Sequence, residues 1–323
     1  MSVALNVSHL EKLFPVGSGH LHAVDGVSLT IGKGESLGLV GESGCGKSTL
    51  VRVVARLIDK TNGSITCGGT DIGSISARRF GTKPDRAKIQ VVFQDPTDSL
   101  NPHLRARECI LDPLKRLRQD LSRAAMHARV REVAGQCGLP ETLLDRYPHQ
   151  LSGGQKARVG IARALAVEPE ILILDEPTSA LDVSVQAVIL HLLAELRAEL
   201  GISYLFVSHD LNVVRLLCDR VAVMYLGKIV ELAPTASLFE TPQHPYTVAL
   251  IDAIPGRART LARLEGEPRS PIDPDPDTCR FYGRCPRSSD LCRTKAPNLT
   301  ERTPGHRAAC HHPMDPERSA EAV

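Results

Sequence analysis

A glycine-rich segment at residues 41–49, GESGCGKST, has the residue types and spacing of a phosphate-binding loop. Glycines let a backbone wind closely around a triphosphate, so that successive N–H groups and the positive end of a helix face the anion. We expect Lys47 to reach the outer phosphates of a nucleotide and the Ser48 hydroxyl to bind Mg2+. Cys45 and Thr49 are expected to pack or to bond through their backbone. The predicted nucleotide-contacting residues of the loop are Gly41, Ser43, Gly44, Cys45, Gly46, Lys47, Ser48 and Thr49.

Two consecutive acidic residues supply the second half of a nucleotide site. They follow the apolar run ILIL at residues 171–174, which is typical of a buried central strand that delivers side chains at its end. We expect Asp175 to hold Mg2+ directly or through water, and Glu176 to polarise the water that attacks the γ-phosphate. Such a pair is a weak signal alone. Combined with Lys47 and Ser48 in one chain, it predicts hydrolysis of ATP.

A third motif, LSGGQ at residues 151–155, precedes a helical pattern and resembles the signature motif of ATP-binding-cassette (ABC) ATPases. Ser152 and the N–H groups of the two glycines can form a second anion site at a helix start, which presses on the γ-phosphate bound to another subunit. The resemblance implies two subunits that enclose two ATP molecules. The residues expected in this contact are Ser152, Gly153, Gly154 and Gln155.

The other motifs of the family follow in its usual order. Gln94 resembles the hinge glutamine that senses Mg2+ and the attacking water, Asp182 resembles the residue that positions the partner's site, and His209 resembles the γ-phosphate switch. Phe14 falls where the family places an aromatic ring that stacks on adenine, although tyrosine is usual there. The resemblance thus implies Glu176, His209 and Gln94 as catalytic residues, and Ser48, Gln94 and Asp175 as Mg2+ ligands.

These motifs need a scaffold that places them together. Between residues 1 and 254, apolar strands alternate with helical patterns, which indicates a largely parallel sheet flanked by helices. A more helical region at about 95–165 resembles the helical subdomain of the family, and its loop at 95–102 is the expected contact for a membrane subunit. The predicted fold class is therefore α/β, an ABC-type P-loop nucleotide-binding domain with a RecA-like core sheet and a helical subdomain.

Charge and hydropathy restrict the classes of partner. The chain has 39 Lys and Arg against 37 Asp and Glu, a net charge of +2, so no overall field favours nucleic acid or an anionic membrane. No apolar run approaches the roughly 18 residues of a membrane span, and residues 1–6 lack the pattern of a secretion signal. We therefore expect a cytosolic protein without nucleic-acid partners, which contacts a membrane only through a partner protein.

The composition changes after residue 254. Residues 255–278 are rich in proline, which predicts a stiff linker. Residues 279–323 form a cysteine-rich extension that is too short to build a core by itself. In a reducing compartment, four clustered thiols more often bind a metal or a cluster than form disulfides, and a scatter of free thiols is the alternative. The candidate ligands are Cys279, Cys285, Cys292 and Cys310.

This extension narrows the resemblance. The segments at 266–271 and 279–286, with HPYT at 244–247, are similar to those of the ATP-binding subunits of oligopeptide and dipeptide importers. The resemblance spans essentially the whole chain. It implies that the chain hydrolyses ATP to power peptide import, together with two membrane permeases, an extracytoplasmic substrate-binding protein and a second, usually non-identical ATP-binding subunit.

The resemblance leaves two questions open. Four such cysteines imply a [4Fe-4S] cluster, but all-cysteine ligation fits tetrahedral Zn2+ as well, and His311 or His312 could replace a cysteine. The substrate of the importer never touches this subunit, so the same machine could carry nickel, opines or other small solutes. A soluble cassette protein that works without permeases is a further alternative.

Overall fold

The structure, a computed structural model, describes residues 2–254 and 266–314. Residue 1, the part of the predicted linker at 255–265 and the part of the predicted extension at 315–323 lie outside the described residues. The described strands are β1 (Val3–Val16), β2 (Gly19–Gly32), β3 (Ser36–Val40), β4 (Asn62–Cys67), β5 (Thr70–Asp71), β6 (Ile89–Val92), β7 (Ile171–Asp175), β8 (Ser203–Val207), β9 (Arg220–Tyr225), β10 (Lys228–Pro234), β11 (Thr300–Thr303) and β12 (His306–Ala308). The described α-helices are α1 (Lys47–Val54), α2 (Ala77–Phe80), α3 (Pro96–Ser99), α4 (Ala106–Leu117), α5 (Arg123–Gln136), α6 (Gly153–Leu165), α7 (Val183–Leu200), α8 (Leu211–Leu217), α9 (Thr235–Glu240), α10 (Pro245–Asp252) and α11 (Asp290–Thr294).

An eight-stranded sheet forms the centre of the molecule, in the order β11-β12-β10-β9-β3-β8-β7-β6. The strands from β9 to β6 pair in parallel, and β10, β12 and β11 join antiparallel at one edge. Strand β7 shows why its sequence is continuously apolar: Leu172 and Leu174 enter one hydrophobic cluster, whereas Ile171 and Ile173 enter another. Both faces of the sheet are therefore covered, as in α/β proteins, and the predicted α/β class is confirmed.

A second, antiparallel sheet has the order β2-β1-β4-β5. Its apolar residues Leu5 and Val7 share a cluster with Leu50 and Val53 of α1, so this sheet packs against the helix that follows the phosphate loop. The sequence pattern predicted one largely parallel sheet and did not indicate this second one. Strand β1 pairs with both β2 and β4, and irregularities in both registers interrupt the simple alternation that would have revealed it.

Helices α3 to α6 occupy the chain between β6 and β7. Helix α4 packs against both α5 and α6, and Ile110, Val133 and Ile161 of these three helices share one hydrophobic cluster. The domain boundaries proposed above stay predictions. Within the described ranges, no helix is long and apolar enough to cross a membrane.

The C-terminal extension is joined to the main sheet. Strand β12 pairs with β10, and β11 adds one more strand at the edge. The Phe281 ring is 1% exposed and packs against the rings of Tyr225 and Tyr246, with centroid separations of 5.2 and 5.6 Å. The extension, too short to build a core by itself, therefore packs its apolar side chains against the rest of the chain. Its length alone did not predict this packing.

Candidate functional site

The glycine-rich loop lies between β3 and α1, where the sequence predicts it. Gly41 and Gly46 have φ of 153° and 108°, conformations that side chains rarely adopt. A Cβ atom at Gly41 would lie 2.2 Å from the carbonyl oxygen of Met224, and one at Gly46 would lie 2.1 Å from that of Ala23. Both positions therefore require glycine, because the loop is pressed against neighbouring backbone.

Lys47 lies inside this loop. The Lys47 residue is 7% exposed, and its Nζ donates to the carbonyl oxygens of Gly41 and Glu42 at 2.7 and 2.9 Å. The ammonium thus sits among backbone acceptors that phosphate oxygens can replace. The start of α1, which directs its free N–H groups to the same place, adds to the attraction for an anion.

Glu176 lies immediately beyond the end of β7, with a left-handed backbone at φ 48°. This conformation is uncommon for residues other than glycine and often marks a functional position. One oxygen of its carboxylate, Oε2, is 3.1 Å from His209 Nδ1 and 3.4 Å from Gln94 Nε2. Three residues from three separate loops therefore meet at one carboxylate oxygen.

A cavity of about 420 Å³ connects the two halves of the predicted site. Its wall includes Ser43 to Thr49 of the loop together with Gln94, Glu176 and His209. Because these segments are far apart in sequence, their meeting at one cavity is a property of the fold. The complete wall consists of Leu21, His22, Ala23, Ser43, Gly44, Cys45, Gly46, Lys47, Ser48, Thr49, Gln94, Glu176, His209, Leu226, Gly227 and Pro271.

Asp175 lies beside the cavity at the end of β7. Burial raises the pKa of Asp175 and the adjacent charge of Glu176 raises it further, whereas Arg52 and Lys47 oppose the change. Two neighbouring acids in a partly buried place repel each other, and a cation bound between them and a phosphate relieves that repulsion. This donor chemistry fits the predicted binding of Mg2+, a cation that prefers oxygen ligands.

Other predicted site residues lie elsewhere in this single chain. Phe14, on β1, is half-buried with its ring centroid 4.8 Å from Lys12 Nζ. Ser152 caps α6: its Oγ accepts from the Gln155 N–H at 3.3 Å, and Gln155 Oε1 accepts from the Ser152 N–H at 3.0 Å. Asp182 caps α7. As far as the structure is described, Gly41, Phe14, Asp175, Asp182 and residues 152–155 are not part of the cavity wall.

Sequence reasoning missed several wall residues. Leu21, His22 and Ala23 come from β2, Leu226 and Gly227 form the turn between β9 and β10, and Pro271 belongs to the predicted linker. No motif marks these positions. Only the pairing of strands brings them to the loop, so no sequence signal could have found them.

The four cysteines of the extension do not form a metal site in this structure. Within residues 2–254 and 266–314, no group of three or more His, Cys, Asp or Glu side chains is arranged to hold a metal ion. All four thiols are free, and burial raises the pKa of Cys279, of Cys285 and, to about 12, of Cys310. The predicted iron-sulfur or zinc site is therefore not supported, because the four thiols are not gathered as ligands.

Two family models match the chain. Residues 24–179 match the model described as ABC transporter, and residues 230–292 match the model described as oligopeptide/dipeptide transporter, C-terminal region. The strand, glycine loop and helix, with acids at the end of β7 in the same sheet, accordingly define an ABC-type P-loop fold. Gln94, the motif at 151–155 and Glu176 lie within the first of these matches, whereas His209 lies beyond its end.

Similar proteins carry the assignment across the whole chain. A probable peptide ABC transporter ATP-binding protein of Sinorhizobium fredii is 47% identical, over 95% of this chain and 89% of the relative. The oligopeptide transport ATP-binding protein AppF of Bacillus subtilis is 45% identical, over 95% and 96%. A solved dimeric ATP-binding cassette in a post-hydrolysis state with ADP and Pi has a TM-score of 0.64 and 32% identity, over 72% of this chain and 98% of that one. The chain therefore belongs to the ATP-binding proteins of ABC transporters, and it is an ABC-type ATPase.

Proposed function

We propose that this chain is the ATP-hydrolysing subunit of a bacterial importer of di- or oligopeptides. The support is the match of residues 230–292 to the C-terminal region of oligopeptide/dipeptide transporters, together with the peptide-transport names of relatives that span nearly the whole chain. The subunit would act at the cytoplasmic face of the membrane through partners: two permeases, an extracytoplasmic substrate-binding protein and a second, non-identical ATP-binding subunit.

The observation that carries the proposed chemistry is the meeting of Gln94 and His209 at the carboxylate of Glu176, on the wall that also holds the phosphate loop. In this proposal, Lys47 and the loop N–H groups hold the phosphates of ATP, and Ser48, Gln94 and Asp175 bind Mg2+, which neutralises charge on the phosphates. Glu176 accepts a proton from the attacking water, while His209 and Gln94 orient that carboxylate. Phe14 would stack on the adenine ring.

The second subunit completes the site in this proposal. Ser152 to Gln155 and Asp182 lie at the exposed starts of α6 and α7, away from their own chain's cavity. They are therefore available to a neighbouring subunit's ATP. Lys156, one turn into α6, donates to Thr97 Oγ1 at 3.2 Å, which joins this helix to the loop at 95–102 proposed to contact a permease. Through this contact, the motion of α6 when the two subunits close over ATP can be transmitted to the permease.

Replacement of Glu176 tests the proposed mechanism. Glu176→Gln keeps the size and hydrogen-bonding capacity of the side chain but removes the base, so hydrolysis should slow by about two orders of magnitude or more while ATP binding remains. Hydrolysis is measured as phosphate release, and the closed dimer by gel filtration with ATP. Turnover at the wild-type rate would refute the role of Glu176.

Transport assays test the substrate class. A strain of the source bacterium lacking this subunit should lose uptake of labelled di- or tripeptides, and the wild-type gene, but not Glu176→Gln, should restore it. Loss of nickel or opine uptake with normal peptide uptake would assign the same machine to those solutes. Uptake of all three that is unaffected would favour a protein without permeases.

The cysteines carry a finer proposal, namely that they bind an iron-sulfur cluster or zinc after moving closer together. Its support is that Cys310 interacts electrostatically with the other three thiols, and that the His312 N–H donates to Cys310 Sγ at 3.3 Å, as N–H groups do to metal-bound sulfur. Iron, sulfide and zinc are measured on anaerobically purified wild-type and Cys279→Ser protein. About four iron and four sulfide per chain would show a cluster and about one zinc a zinc site, whereas no metal would leave free thiols.

A further inference from the structure

One arginine of the C-terminal extension reaches the phosphate loop. Arg284 Nη1 lies 2.9 Å from Glu42 Oε2, and Nη2 lies 3.2 Å from Oε1, so the guanidinium binds the carboxylate with two parallel hydrogen bonds. Nη1 also donates to Tyr225 Oη at 3.2 Å. The Arg284 side chain is 8% exposed and that of Glu42 is 30% exposed, so the pair is partly shielded from solvent. Charge-assisted bidentate pairs of this kind are among the strongest side-chain contacts.

Glu42 is the second residue of the loop, and its backbone is held as firmly as its side chain. The Glu42 N–H donates to Tyr246 Oη at 2.7 Å, and the Glu42 carbonyl accepts from Lys47 Nζ at 2.9 Å. Tyr246 packs in turn on Phe281, three residues before Arg284. Apart from Lys47, the side chains that hold Glu42 therefore belong to α10 and to the extension, outside the loop and its flanking elements.

A second contact joins the extension to β2, the strand that supplies part of the cavity wall. Arg280 forms an ion pair with Asp25 of β2, and Asp25 lies 3.8 Å from the ring of His22. The His22 N–H donates to the Pro271 carbonyl at 2.9 Å, and both of these residues line the cavity. The two arginines of the segment CRFYGRC thus contact acids of two elements, Glu42 of the phosphate loop and Asp25 of β2.

We infer that Arg284 is a positioning residue for the ATP site, through which the C-terminal extension sets the affinity of the loop for ATP. This rests on the proposed ATP site. Arg284 need not touch ATP: it fixes the carboxylate of Glu42, and with it the first turn of the loop, in the shape in which the N–H groups and Lys47 face the phosphates. A loop held in its binding shape before ATP arrives loses less entropy on binding.

The pair also explains why the position needs arginine. Lysine offers one compact charge and cannot form two parallel bonds to a carboxylate. If the ion pair is broken from one side, the other charged group is left in a poorly hydrated place, and the loop must rearrange to hydrate it. Such a rearrangement alters the binding of ATP more than the chemistry at Glu176, which belongs to a separate part of the chain, after β7.

The test uses the full-length protein and Mg-ATP. In Arg284→Gln, the Kd for ATP by calorimetry and the KM for ATP hydrolysis should both rise about tenfold, while kcat changes less than about twofold. Glu42→Gln should have the same effect, and the double variant should be no weaker than either single one, since one interaction is lost in all three. Arg284→Lys should recover part of the affinity. Arg287 is an exposed arginine three residues after Arg284. The variant Arg287→Gln serves as the matched control and should bind ATP as the wild type does.

Three outcomes decide the inference. A KM for ATP within twofold of the wild type in Arg284→Gln and Glu42→Gln, or additive effects of the two, would overturn it. Should Arg284→Gln fail to fold, as judged by its thermal unfolding, Glu42→Gln alone decides, because it removes the pair without altering the extension. Lys47→Ala separates the two levels: if it binds ATP normally the proposed ATP site itself fails, whereas if only Lys47→Ala loses affinity the ATP site stands and the inference fails.

Discussion

The two carboxylates at the end of β7, Asp175 and Glu176, lower the stability of the folded protein. The pKa of Asp175 is raised, first by burial and then by Glu176, so the folded protein holds this proton more tightly than the unfolded chain does. Stability therefore falls as pH rises above the ordinary value of 3.8 and through the raised value, and the cost persists at neutral pH. Repulsion between the two carboxylates therefore lowers the free energy of unfolding until a cation binds.

Replacing Asp175 should reverse that cost. Asp175→Asn removes the repelling charge, so we expect the nucleotide-free protein at pH 7 to melt about 1–2 °C higher, the shift that ~1 kcal/mol produces in a chain of this size. ATP hydrolysis should fall by about two orders of magnitude or more, because a Mg2+ ligand is lost. Asp120→Asn is the control: Arg118 holds the pKa of Asp120 below its ordinary value, so its removal should not stabilise the protein. A lower melting temperature for Asp175→Asn would contradict the argument.

At the scale of elements, helix α10 begins with a buried histidine. His244 Nδ1 accepts from the Tyr246 N–H at 3.1 Å, and the residue is 2% exposed, facing the carboxylate of Glu231 and the ring of Phe281. Burial lowers the pKa of His244 to about 4, although Glu231 opposes the change. Between pH 6.5, the ordinary pKa of histidine, and pH about 4, the unfolded chain therefore binds a proton at this position that the folded protein does not bind.

The folded state should therefore lose stability as pH falls from 6.5 towards 4. At pH 5 the loss from His244 is about 2 kcal/mol relative to pH 7. His244→Asn keeps an acceptor at the start of the helix but cannot titrate, so its urea unfolding midpoint should differ less between pH 7 and pH 5 than that of the wild type. Equal pH dependence in the two proteins would show that the destabilising proton binds elsewhere.

The start of α6 permits a separation of structure from function. Ser152→Ala removes the acceptor for the Gln155 N–H and should destabilise the protein by about 1 kcal/mol. Ser122 caps α5 in the same way, with its Oγ accepting from the Ala125 N–H at 3.2 Å. Both alanine variants should melt at a similarly reduced temperature, but only Ser152→Ala should lower the ATPase rate, by about tenfold or more, since Ser152 would act on a second subunit's ATP. Equal ATPase rates in the two variants would remove Ser152 from the site.

At the scale of the whole molecule, a buried hydrogen-bonded pair of side chains joins the extension to the sheet. His306 Nε2 on β12 lies 2.6 Å from Glu231 Oε1 on β10, and the two residues are 1% and 0% exposed. The backbone N–H groups of Gln243 and His244 also donate to the Glu231 carboxylate, at 2.7 and 2.9 Å. One carboxylate therefore links β10, β12 and the start of α10.

His306→Ala should release the extension. It leaves the buried Glu231 side chain without its imidazole partner, and loss of one partner of a buried polar group typically costs about 1–3 kcal/mol. We expect a lower unfolding temperature and faster cleavage by trypsin within residues 266–314, with ATP affinity reduced as well because Arg284 moves with the extension. The neighbouring Arg307 is exposed, so Arg307→Ala should resemble the wild type. Resistance of His306→Ala to trypsin equal to that of the wild type would show that the extension docks independently of this pair.

The sequence by itself determined the parts of this protein whose geometry is local. The glycines at 41 and 46, the lysine and serine that follow them, and the acids after an apolar strand were identified because a phosphate loop and an acid-ended strand are each contained in a few consecutive residues. The structure places the loop between β3 and α1 and brings Glu176, Gln94 and His209 to the same cavity.

Tertiary structure alone decided how the C-terminal extension relates to the ATP site. The pair of Glu42 and Arg284 spans 242 positions of the chain, and His22 meets Pro271 only because the predicted linker runs beside β2. It also decided that the four cysteines, whose number and compartment suggested a metal site, are not gathered as ligands. Such contacts depend on long-range packing and on ion pairs between residues that are far apart in the sequence. The spacing of residues along the chain therefore does not predict them.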